Sequence, residues 1–155
     1  MKRLIVLLLS IALSLSLSGT MFAQGQVIGP WVDASMPIID CSAGCSPTAT
    51  QLQLGAVLNN YGQGAANRVA QLPAIAAGMS FVVDIGTTQA ANSFTVTSFT
   101  GTNMCLDQNC GTLYTNIIFA TPTQYDELSC RSARDGAAGV YIWKCSTAHG
   151  TTTGS

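Results

Sequence analysis

Apolar and polar residues alternate through much of the chain after residue 50. Leu52, Leu54, Ala56 and Leu58 share one parity, and Gln51, Gln53 and Asn59 take the other, the pattern of a strand with one face buried. A helix is the competing reading, because Ala and Leu are good helix formers, but Gly55 and the turn Asn59-Asn60-Tyr61-Gly62 weaken it. Arg68 to Leu72 forms a further extended segment, closed by Pro73 and the loop Ala74 to Gly78. Met79, Phe81, Val83 and Ile85 then fall on one face, with Ser80, Val82 and Asp84 opposite. After a turn at Gly86 to Asn92, Phe94 and Val96 point inward while Thr95 and Thr97 point outward. Leu113 to Ala120 predicts another strand, rich in β-branched and aromatic residues and stopped by Thr121-Pro122. Leu128 to Arg131 and Val140 to Thr147 predict a final pair around a loop containing Asp135-Gly136. Such a series of short strands predicts an all-β fold: a single disulfide-stapled β-sandwich or barrel-like domain, with a short β-solenoid as the alternative.

The first residues break this pattern. Lys2 and Arg3 precede an apolar run from Leu4 to Leu15, and small residues follow, which predicts a signal peptide at residues 1–23 with a mature start at Gln24. Residues 24–50, punctuated by Gly, Pro and Ser, read as an N-terminal arm holding one or two short strands, and residues 51–155 as the β domain. A retained membrane helix is the competing reading for the leader. The apolar run is short, and no second one reaches spanning length, so no membrane span is expected in the mature protein.

All six cysteines, Cys41, Cys45, Cys105, Cys110, Cys130 and Cys145, fall after the leader. An even count behind an export signal implies oxidised pairs and a secreted, extracellular or periplasmic location. Proximity suggests Cys41 with Cys45, Cys105 with Cys110, and Cys130 with Cys145; a zinc site built from the two close pairs is the competing reading. If Cys130 opposes Cys145 in a hairpin, the loop centres near Ala137 and Ala138, and Tyr141 and Trp143 share the cysteine face. Arg131 would then oppose Lys144, a like-charge pair that counts against that register.

Charged residues make up only 8% of the sequence, with six basic and seven acidic side chains. Removing Lys2 and Arg3 leaves four cations, too few and too scattered to neutralise many phosphates, so nucleic acid is not an expected partner.

Little in the sequence points to catalysis. His149, the only histidine, stands near a Thr-Gly-Ser tail, where a held geometry is not expected. Ser80 sits in a strand pattern without the second glycine of a nucleophile elbow. Asp126 and Glu127 are adjacent and would point to opposite faces of a strand. Asp107 and Asn109 supply too few oxygens for calcium alone. No catalytic residue, metal or cofactor is therefore expected. Trp31, Tyr61, Tyr125 and Trp143 are the candidates for stacking against a glycan or another surface, with burial in the core as the competing role for each.

Three stretches carry a resemblance: Gly55 to Gly62, Leu72 to Val83 with its Leu-Pro-Ala-x-Ala-Ala-Gly-x-x-Phe run, and Tyr141 to Cys145. In these the chain from about Leu54 to Thr152 resembles small β modules of bacteriophage virion and tail-fibre proteins and related bacterial surface proteins. The resemblance implies a structural or receptor-facing part of a multimeric fibre, and supplies no catalytic residues. The leader and the six cysteines depart from those modules and point to an exported bacterial protein. The expectation is thus a secreted, non-enzymatic structural or adhesive surface protein, self-assembling as a homo-oligomer or fibre through its arm or its strand edges. A monomeric carbohydrate- or surface-binding module is the alternative, and a small secreted hydrolase a more remote one.

Overall fold

The computed structural model describes residues 36–101, 103–136 and 140–155; the expected signal peptide, residues 24–35 of the arm, Trp31 and the centre of the last hairpin loop lie outside them. Eleven strands and one helix follow in order: β1 (Ile38–Asp40), α1 (Ala49–Gln53), β2 (Ala56–Asn59), β3 (Arg68–Gln71), β4 (Ser80–Asp84), β5 (Phe94–Thr97), β6 (Met104–Leu106), β7 (Asn109–Tyr114), β8 (Asn116–Phe119), β9 (Glu127–Arg134), β10 (Tyr141–His149) and β11 (Thr153–Gly154). They form a seven-stranded sheet in the order β1-β2-β4-β9-β10-β6-β7 and a four-stranded sheet in the order β11-β8-β5-β3. The architecture is sandwich-like and nearly all β.

The first half of the chain winds between the two sheets. β1, β2 and β4 are parallel neighbours in one sheet, while Cys45, β3 and β5 stack in parallel in the other. Equivalent positions recur at Val57 and Val82 in the first sheet and at Cys45, Ala70 and Val96 in the second. Parallel strands need a long crossover, usually a helix. Here, after α1, each crossover is a strand of the opposite sheet, so this half has the winding of a solenoid. The second half closes it antiparallel, with β9 on β4 and β8 on β5.

Inward positions follow the alternation. Leu58, Phe81, Val83, Phe94, Val96, Ile117, Phe119, Leu128 and Trp143 are buried between the layers, each contributing roughly 1.5–3 kcal/mol of transfer free energy. Phe81 and Trp143 meet edge to face at 5.1 Å, a geometry that adds about 1 kcal/mol. The three disulfides join Cys41 to Cys45, Cys105 to Cys110 and Cys130 to Cys145. Cys130 lies opposite Cys145, and with them Arg131 opposite Lys144, so the register holds despite the like charges.

Three expectations need correction. Residues 36–50 are part of the body and not of an arm: the Cys41 N–H bonds Asn59 C=O at 2.7 Å and the Cys45 N–H bonds Val69 C=O at 3.0 Å, so the Cys41–Cys45 loop ties one sheet to the other. The alternation at Leu52 to Leu58 begins as α1, because Thr48 caps it with a reciprocal pair of bonds to Gln51. Gly55, at φ +77°, then turns the chain into β2 and leaves Leu54 exposed. The single strand expected at Leu113 to Ala120 is split at Thr115, which gives its N–H to Ser155, and its halves belong to different sheets.

Candidate functional site

The outer face of the seven-stranded sheet carries its side chains in register rows. One row runs Ile38, Val57, Val82, Ser129, Ser146. Two residues along the strands lies the row Asp40, Asn59, Asp84, Glu127, His149; two residues the other way lies Ser80, Arg131, Lys144. Rows on one face are separated by about 6.6 Å, twice the rise per residue. Carboxylates and cations are therefore segregated across an apolar and hydroxyl-bearing strip. Asn59 stands between Asp40 and Asp84 and donates its amide to Asp84 at 2.9 Å. Asp40 accepts the Ser42 N–H at 2.8 Å, and this backbone bond, followed by a side-chain bond from Ser42, holds its carboxyl below the usual aspartate range.

Arg131 and Lys144 line an open depression of about 590 Å³ with Gln108, Cys110, Ser129 and Ser146, and no carboxylate lines it. Gln108 belongs to the two-residue turn Asp107-Gln108, both at positive φ, between β6 and β7. This tip does not project freely. The Asp107 N–H bonds Cys145 C=O at 2.9 Å and its carboxylate accepts the Thr147 N–H at 2.8 Å.

Past the strand ends the chain turns at Tyr61 and Tyr125. Tyr61 stands two residues beyond Asn59, Gly86 two beyond Asp84, and Tyr125 two before Glu127. A Cβ on Gly86 would lie 3.1 Å from the Tyr61 Cβ and 2.8 Å from Asn59 Oδ1, so only glycine fits beside Tyr61. The Tyr125 N–H bonds the carbonyl of Ile85, next to Gly86, at 2.9 Å. Tyr61 and Tyr125 are 75% and 74% exposed. Tyr125 also holds φ at +74°, a conformation that costs a residue with a Cβ about 1–2 kcal/mol.

Of the four aromatic candidates, then, Tyr61 and Tyr125 stand exposed. Trp143 is fully buried against Phe81 and is removed from the surface set. His149 is not in a loose tail; it ends β10 opposite Glu127 and is exposed. Ser80 lies in the cation row, and Asp126 accepts the Thr123 N–H at 2.8 Å. The sequence places Asp84 opposite Phe81 and pairs Glu127 only with its neighbour Asp126; the period of two, carried from Phe81 and Leu128 across the register, is what sets Asp84 beside Glu127. All six cysteines are paired, which indicates an oxidising compartment, extracellular or periplasmic. Compared with family models, with curated proteins and with solved structures, the chain matches none.

Proposed function

We propose that this is an exported, non-enzymatic structural and adhesive surface protein whose copies join through the edges of the seven-stranded sheet. One contrast carries the reading. The β3 edge of the four-stranded sheet is covered, since Cys45 takes up Val69 C=O and Gln71 N–H at 3.0 and 2.8 Å. Among the described residues, no strand pairs with the outer sides of β1 and β7. In β1, Pro37 C=O and Cys41 N–H point to β2, so Ile38 and Asp40 direct their backbone groups away from it. Uncovered edges accept another strand through backbone hydrogen bonds. Joining the β1 edge of one copy to the β7 edge of the next is a head-to-tail contact, which builds an open fibre.

Two further points support the reading. The disulfide and hydrogen-bond framework fixes shape in an oxidising compartment, and the outer face of the larger sheet groups its side chains by charge. The likeness of residues 55–62, 72–83 and 141–145 to virion and tail-fibre modules belongs to the same proposal. Size-exclusion chromatography with electron microscopy tests it. The oxidised protein should form oligomers that grow with concentration, and Ile38→Pro, which removes an outward N–H and leaves the bonds to β2, should return it to monomer. A wild type that stays monomeric would sink the assembly claim.

A further inference from the structure

We infer that the depression over Arg131 and Lys144 binds a tetrahedral oxyanion, a phosphate or sulfate group, separately from the sheet edges used for assembly. After residue 3 the chain holds only four lysines and arginines: Arg68, Arg131, Arg134 and Lys144. Two of them stand directly opposite each other on β9 and β10 and line one depression that no carboxylate enters. Like charges so placed, with Cβ atoms about 5 Å apart, lower stability. The carboxylates of the same face do not offset them. Asp84 and Glu127 lie two rows away, about 13 Å along the strands, beyond the screening length of about 8 Å at physiological salt. Asp107, next to Gln108, accepts the Thr147 N–H and hydroxyl on its two oxygens, at 2.8 and 3.4 Å. An uncompensated cationic pair in a concave surface attracts an anion.

The pair is also held in place. Arg131 follows Cys130 and Lys144 precedes Cys145, so the Cys130–Cys145 disulfide lies one residue from both cations and fixes their strands against the repulsion. One residue to the other side of the bridge, Ser129 and Ser146 stand opposite each other and line the same depression. Two cations and two hydroxyls thus take the corners of a rectangle about 5 Å across the strands and 6.6 Å along them. The guanidinium fork, the ammonium and the hydroxyls are all donors. A tetrahedral phosphate or sulfate has oxygens for each of these, whereas a planar carboxylate has two, and a dianion matches the two positive charges. Because the register and the disulfide bring these groups together before any ligand arrives, little backbone ordering is left to binding. At about 590 Å³ and open to solvent, the depression admits the group either free or at the end of a larger molecule.

The test is calorimetric titration of the oxidised protein, in chloride buffer at constant ionic strength, with inorganic phosphate, sulfate, a hexose phosphate and acetate. Saturable one-to-one binding of phosphate or sulfate, with acetate weaker, is the expected result. Arg131→Gln and Lys144→Glu should each weaken it about tenfold or more, and Lys144→Arg, which keeps the charge, should retain it. Lys144→Glu also removes the like-charge repulsion, so its loss of binding separates loss of the site from loss of the fold. Equal affinity for inorganic phosphate and the hexose phosphate would support a site for the group alone, and tighter binding of the ester a site for a carried group. No saturable binding, acetate bound as tightly as phosphate and sulfate, or affinity unchanged by Arg131→Gln and Lys144→Glu would each overturn the inference. Ile38→Pro lies on β1, three strands from β9, and leaves the depression intact. That monomeric variant should bind the same anion, which distinguishes failure of this site from failure of assembly.

Discussion

Asn60 accepts the backbone N–H of Gly86 on its side-chain oxygen at 2.8 Å, joining the loop after β2 to the loop after β4. Its amide nitrogen donates to Gln63 Oε1 and Thr87 C=O at 2.9 and 3.2 Å, and Gln89 donates to Gln63 C=O at 2.8 Å. Asn60 is fully buried, so truncating it strands backbone N–H groups without a partner. Asn60→Ala should lower unfolding free energy by about 2–3 kcal/mol in a urea titration.

The disulfides should differ in weight. Cys130 and Cys145 are 15 residues apart and Cys105 and Cys110 only 5. By loop-closure entropy the first restrains the unfolded chain by about 3 kcal/mol and the second by about 2. The first also lies in the core. Replacing Cys130 and Cys145 with alanine should therefore destabilise more than replacing Cys105 and Cys110, measured by denaturant midpoints under oxidising conditions.

Tyr125→Gly should raise stability by up to about 1 kcal/mol, the release of positive-φ strain offset by glycine's greater entropy when unfolded. Thermal denaturation checks this.

Arg131 opposite Lys144 is a like-charge pair on adjacent strands. Lys144→Glu should stabilise the protein by about 0.5 kcal/mol, and the gain should shrink as salt is added. Unfolding at low and high ionic strength reads both effects.

For Asp40 the folded carboxyl is held below its ordinary value by the Ser42 bonds. The stability this supplies is present above the unfolded aspartate value and is lost as pH falls through the lowered one. Asp40→Asn should leave a flatter acid limb in a plot of unfolding midpoint against pH.

Much of the fold is legible in the alternation. Phe81 with Val83, Phe94 with Val96, and Trp143 with Cys145 take the inward positions that a period of two assigns. The cysteine pairs follow from proximity once export is assumed. What periodicity does not carry is which sheet a strand joins: Leu113 and Ile117 belong to a similar apolar stretch, yet a break at Thr115 sends them to different layers. β6 and β11 were missed because three and two residues are too short for a period to register. Residue type marks Tyr61 and Tyr125, and both are exposed, but a positive φ at Tyr125 has no signature in composition.

Amide exchange at Ile38 and Asp40 tests edge pairing most directly, because their N–H groups face away from β2. Measured by NMR across a range of concentrations, exchange at these two positions should slow as assembly proceeds, while Cys41, already bonded to Asn59, stays protected throughout. Fast exchange of Ile38 and Asp40 at every concentration would contradict assembly through the β1 edge.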